Sequence, residues 1–100
     1  AWDCSGDLPG VARLIAGKRG EVRTCYERRL KVNNILAGSL RLQIKVGTGG
    51  KVAATKVSGS LRDNEVFSCV RKKVQSWSFP DPVGDKCAVL DVPFSFSPKN

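Results

Sequence analysis

The chain has 100 residues, with 17 Lys and Arg against 9 Asp and Glu, four Cys and no His, a size that suits one compact domain with a single core. Its longest apolar runs are a few residues, far short of the roughly 20 that a membrane-crossing helix needs, and 26% charged residues with dispersed Gly and Pro exclude a disordered tail. Without imidazole there is no Ser-His-Asp or Cys-His constellation and no His ligand for zinc, so a non-enzymatic protein without cofactor or metal is expected.

No charged segment followed by an apolar one opens the chain, and it begins at Ala1, so we expect a processed protein or a domain of a longer one. Residues 1–20 read as an N-terminal extension and residues 21–100 as the domain proper. Within the extension, Leu8, Val11 and Leu14 or Ile15 recur at helical spacing over residues 7–18. Asp7 is the expected N-cap and Pro9 falls in the first turn, where its missing N–H does no harm. Gly17 and Gly20 weaken this pattern. A second helix is expected from Glu21 to Asn33, with Val22, Cys25, Tyr26 and Leu30 on one face and Arg23, Glu27, Arg28 and Lys31 on the other. Asn33 and Asn34 supply its stop, because Asn tolerates a left-handed backbone.

From Ser39 to Val46 the period changes to two. Leu40, Leu42, Ile44 and Val46 alternate with Ser39, Arg41, Gln43 and Lys45, which describes a strand with one buried and one wet face. Gly47 to Gly50 then reads as a hairpin turn in preference to a phosphate cradle, since neither a Lys-Ser/Thr pair nor a helix follows it. The return strand spans Val52 to Ser58, where Val52 and Val57 differ in parity and so require a bulge unless Val52 belongs to the turn. Asp63 is an expected N-cap for a helix from Asn64 to about Ser76, with Val66, Val70, Val74 and Trp77 in one stripe, ended by Pro80 and Pro82. Trp77 and Phe79 read as core anchors at that helix end in preference to a stacking platform. The last strand is expected from Lys86 to Ser97, with Leu90, Val92, Phe94 and Phe96 alternating against Asp91, Pro93 and Ser95. Pro93 argues that it lies at a sheet edge. Trp2 stands outside any pattern and either packs on Cys87 or offers an exposed contact.

The order is thus α-α-β-β-α-β. Each strand has one apolar row to bury, so the expected fold is α+β, a three-stranded antiparallel sheet with helices on one face. The four cysteines stand alone, with no C-x-x-C spacing, so two disulfides are expected, and with them an oxidising compartment such as a periplasm. Cys25 and Cys69 fall on or beside the buried faces of the two long helices, which would meet over the sheet. That pairs Cys25 with Cys69 and leaves Cys4 with Cys87.

The run VRTCYERRLKVNNILAGSLRLQIKVGTGGKV, then NEVFSCVRKKVQSWSFPDP and finally VPFSFS, resembles the C-terminal domain family named after AgmX and PglI of gliding bacteria. That family is related to the C-terminal domain of the energy transducer TonB. The resemblance covers about residues 21 to 97 and rests on the series of pieces rather than on any single one. It implies a periplasmic domain at the end of a protein anchored in the inner membrane, with the anchor outside these residues. A proton-driven motor would move the protein through its upstream part, and the domain would hold a periplasmic or outer-membrane protein segment as part of a gliding-motility or related envelope machine. Capture would be by strand addition beside the last strand, over Val89, Leu90, Asp91, Val92, Pro93, Phe94 and Ser95. Pro93 has no N–H, so either pairing stops on one side of it or it blunts the edge against aggregation.

The net charge of +8 supports a rival reading, in which Arg23, Arg28, Arg29, Lys31, Arg71, Lys72 and Lys73 form a basic patch. Such a patch would bind an anionic envelope polymer or nucleic acid. Nucleic acid is not expected, because no aromatics interleave with the basic residues on exposed strand faces, no groove-reading motif is present and disulfides do not suit the cytosol.

Overall fold

The computed structural model describes residues 2–98. Its elements are α1 (Val11–Leu30), β1 (Gly38–Val46), β2 (Val52–Ser58), α2 (Asn64–Gln75) and β3 (Ala88–Phe96), with a single 3-10 turn, Thr48–Gly50, between β1 and β2. The architecture is the expected α+β, with the sheet in the order β2-β1-β3 and every pairing antiparallel. No helix among the described residues is long and apolar enough to cross a membrane.

The two expected N-terminal helices are one. The segments over residues 7–18 and 21–33 run together as α1, straight through Gly17 and Gly20, so the order becomes α-β-β-α-β and the boundary drawn at residue 20 falls inside a helix. A glycine in a helix interior costs about 1 kcal/mol relative to alanine. Burying Ile15, Val22, Cys25 and Tyr26 on one side of α1 outweighs that cost. The ends of α1 also differ from expectation. Gly10, with φ 75°, is the N-cap and no side chain caps the helix. Asp7 instead exchanges backbone hydrogen bonds with Val83, at 2.8 and 2.9 Å, and so belongs to a β-bridge. At the other end the helix stops at Leu30, and Asn33 keeps an ordinary backbone while its N–H donates to the Arg29 carbonyl at 2.8 Å. Among non-glycine residues described, Arg62 alone has a positive φ.

The alternation in β1 holds throughout. Leu40, Leu42, Ile44 and Val46 are fully buried, and Val92 and Phe94 of β3 extend that row. Of the two ways to reconcile the parity of Val52 and Val57, the bulge is the one present, since Lys45 faces Ala54 while Val46 faces Val52, leaving Ala53 over. Asp63 caps α2, its carboxylate accepting from the Val66 N–H at 3.0 Å. The helix ends at Gln75, ahead of Pro80, where the Ser76 N–H and hydroxyl both donate to the Lys73 carbonyl, at 3.1 and 2.7 Å. Trp77 and Phe79 are buried, as expected of core anchors.

Both helices cover the same sheet face, because their buried residues and the even-numbered row of β1 form one continuous core. Helix α1 lies towards β3, where the Tyr26 ring stacks on Phe96 with centroids 4.6 Å apart and the Arg19 guanidinium sits 4.9 Å from the Phe94 ring centroid. Helix α2 borders β2. The Cys25–Cys69 disulfide joins the helices and Cys4–Cys87 ties the N-terminal segment to the chain just before β3, the pairing that helix packing required.

Candidate functional site

The order β2-β1-β3 leaves β3 with β1 on one side and no strand on the other among the described residues. Which backbone groups face the open side follows from the register. Ser39 directs both of its groups towards the β2 side, its carbonyl accepting from the Leu61 N–H at 3.0 Å and its N–H donating to Ser60 Oγ at 2.9 Å. Directions alternate along a strand, so the odd residues of β1 face β2 and the even ones face β3. The β3 partners of the even residues are Leu90, Val92 and Phe94, which therefore spend their backbone groups on β1. Val89, Asp91, Pro93 and Ser95 turn theirs outward. Of the seven residues expected to form the edge, these four can meet an added strand, while Leu90, Val92 and Phe94 send their side chains into the core.

This parity also explains Pro93. It stands opposite Arg41 at a position where β1 demands no hydrogen bond, so the missing N–H costs the sheet nothing. On the outer side, Val89, Asp91 and Ser95 offer N–H donors, and Pro93 offers a carbonyl only. Residues 4–7 limit the edge at its start. The Gly6 N–H donates to the Cys87 carbonyl at 3.0 Å, Ser5 donates from both its N–H and hydroxyl to the Asp85 carboxylate at 2.9 and 3.0 Å, and Cys4 is bonded to Cys87. The Ser5 N–H, the Lys86 N–H and the Ser5 hydroxyl together hold the Asp85 carboxyl below its ordinary range. The free stretch therefore begins at Val89.

The wet face of the sheet is not bare. Arg41 grips Asp91 through both of its carboxylate oxygens across the β1–β3 pair, which lowers the pKa of Asp91. Trp2 lies over the same face, half-buried, and with Cys4, Arg41, Gln43, Lys56 and Val89 encloses an open groove of about 620 Å³. Nothing in the sequence period signals this groove, because Trp2 is brought to it by a disulfide and not by strand or helix spacing. The alternation of Arg41 and Gln43 does place those two side chains there.

The expected basic patch comes together only in part. Arg23 is paired with Glu27 and Arg29 with Asp63, each at 3.2 Å. Arg28, Lys72 and Lys73 share a hollow of about 380 Å³ between α1 and α2, together with Glu65 and Ser68. Lys31 lines a neighbouring hollow on α1 with Arg28, and Arg71 lines neither. The turn at residues 47–50 is closed to a phosphate, since the Gly49 N–H donates to Asp81 Oδ1 at 2.8 Å and the Gly50 N–H to the Gly47 carbonyl at 3.1 Å. Trp77 Nε1 donates to Glu21 at 3.1 Å, which, with Lys18 beside it, holds the Glu21 carboxyl below its ordinary range. Among the described residues no cluster of Cys, Asp or Glu suits a metal ion.

Fold and site together define a small α+β domain, braced by two disulfides, with β2 and β3 as edge strands and a cationic groove beside the outer edge of β3. Comparisons with protein-family models, curated proteins and solved structures return no match for this chain.

Proposed function

We propose that the chain is a non-enzymatic, periplasmic partner-binding domain of a TonB-like energy or force transducer, and that it captures an extended protein segment at the outer edge of β3. The carrying observation is that edge itself. Val89, Asp91, Pro93 and Ser95 point their backbone groups away from the sheet, over a stretch with no strand beside it among the described residues. Main-chain pairing supplies affinity in such a mode, and alternate side chains supply specificity. The resemblance of residues 21 to 97 to AgmX/PglI-type and TonB-type C-terminal domains supports the transducer role, with a motor and anchor in an upstream part. The test is an amide NMR titration with extended peptides selected on the domain from a random library. The amides of Val89, Asp91 and Ser95 shift first on this reading; shifts confined to α1 and α2 refute strand addition.

A second reading rests on the hollow shared by Arg28, Lys72 and Lys73, where cations of both helices face one space. There the domain holds an anionic envelope polymer. Binding of this kind weakens steeply with added salt as counterions are released, whereas ladder-type pairing does not.

A further inference from the structure

We infer that the groove between Trp2 and the wet face of the sheet is a binding site for a carboxylated saccharide, such as a uronic acid oligomer. The site is distinct from the hollow between the helices and meets the outer edge of β3 at Val89, which belongs to both. Three observations carry it.

The chain fastens Trp2 in place. Cys4 is bonded to Cys87, Gly6 and Asp7 pair with Cys87 and Val83, and Ser5 is held by Asp85, so four consecutive residues following Asp3 fix the direction in which Trp2 leaves. A tryptophan anchored this way stays half-exposed beside polar side chains, although the core lies on the opposite face of the same sheet. Trp77, by contrast, is turned into the core.

The groove is cationic. Arg41 and Lys56 line it, Lys45 lies on the same face opposite Val89, and Asp91 is the one carboxylate that the described strands place on that face. Asp91 fixes the Arg41 guanidinium with a two-oxygen grip and leaves Lys56 as the unpaired cation among the lining residues described. Gln43 stands between them, with an amide that both donates and accepts.

The floor offers no backbone. Its centre is formed by β1, whose N–H and C=O groups are consumed by β2 and β3, and Val89 alone of the lining strand residues turns its backbone outward, at the rim. A peptide lying in the groove could therefore form no ladder. A sugar ring needs none: its C–H face stacks on the indole, its hydroxyls bond to Gln43, and its carboxylate meets Lys56 with a charge-assisted bond. A volume of about 620 Å³ falls in the ordinary range for a small-ligand site.

Oligogalacturonate titrated into isotope-labelled protein, read at the two indole N–H resonances, tests this. The Trp2 indole should shift while that of Trp77, bonded to Glu21, stays put. Trp2→Ala and Lys56→Glu should each weaken binding about tenfold or more. Lys56 is exposed on an edge strand, so its reversal leaves the fold intact and keeps the test informative even if Trp2→Ala loosens the N-terminal segment. Three results would overturn the inference: no shift of Trp2, equal binding of a neutral oligosaccharide of the same length, or equal displacement by an oligoglutamate peptide.

Discussion

At the level of single residues, Asp63 does three things at once. It caps α2, accepts from Arg29 of α1, and sits nearly buried. Burial pushes its carboxyl up, but the Val66 N–H and the Arg29 guanidinium together outweigh burial and leave it below the ordinary 3.8. Its stabilising effect is complete above that value and is lost as pH falls below it through the depressed native value. Asp63→Ala should therefore destabilise the domain by about 1 to 2 kcal/mol in urea unfolding at neutral pH. Asp63→Asn keeps an acceptor at the cap and should cost less. The stability of Asp63→Asn should also vary less with pH than that of the wild type in acid.

Two adjacent glycines provide a sharper contrast. Both have left-handed backbones, Gly49 with φ 79° and Gly50 with φ 76°. A Cβ on Gly49 meets open space, whereas one on Gly50 would lie 1.9 Å from the Phe79 carbonyl oxygen. Gly49→Ala should thus cost only the left-handed conformation, about 1 to 2 kcal/mol. Gly50→Ala must in addition push apart the turn and the Phe79 chain, breaking the 3.1 Å bond from the Phe79 N–H to the Gly50 carbonyl, and should unfold the domain at a distinctly lower urea concentration. The sequence marks a turn at 47–50, but nothing local distinguishes the two glycines, because the difference is made by a chain some thirty residues away.

Among elements, the legible parts are those whose pattern is self-contained. Strand β1, the Asp63 cap and the cysteine pairing could be read from spacing, and the parity of Val52 and Val57 left the bulge as one of two alternatives. Each depends on a period of two or 3.6 or on a single side chain meeting its own backbone. What could not be read was set by distant partners. Gly17 and Gly20 suggest a break, yet α1 is continuous because residues on both sides of them are buried in one core. Asp7 suggests a cap, yet Val83 claims its backbone. At the candidate site, the edge was legible through Pro93, and the outward parity of four of its residues only through the register with β1. The Trp2 groove was not legible at all.

The two disulfides should differ in effect, and in the order opposite to their loop lengths. Chain entropy alone gives about 4 kcal/mol for the Cys25–Cys69 span of 44 residues and slightly more for the Cys4–Cys87 span of 83. Cys25 is buried between the helices, so Cys25→Ala with Cys69→Ala should approach the full loss. Removing Cys4 and Cys87 frees mainly residues 2–7, which regain motion in the folded protein and so offset part of the loss. Urea unfolding of the two double variants should show the smaller drop for Cys4→Ala with Cys87→Ala, accompanied by a red shift of Trp2 fluorescence in the folded protein.

For the whole molecule, the opening charge surplus of +8 is spread over two places with different partners. Part of it is neutralised on the helices by Glu27, Asp63 and Glu21. Part faces outward, in the hollow of Arg28, Lys72 and Lys73 and on the wet face beside Trp2. The wet face meets the open edge of β3 at Val89, whereas the hollow lies between the two helices.

The central claim, that β3 receives a partner strand, turns on outward backbone groups and not on side chains. Its most direct measurement compares the affinity of one library-selected peptide for three proteins: the wild type, Val89→Pro and Pro93→Ala. Val89→Pro deletes an outward N–H and Pro93→Ala restores one, while neither position bonds to β1. Strand addition predicts weaker binding by Val89→Pro and tighter binding by Pro93→Ala, each by about fivefold or more, the worth of one hydrogen bond. Equal affinity across the three proteins would contradict it.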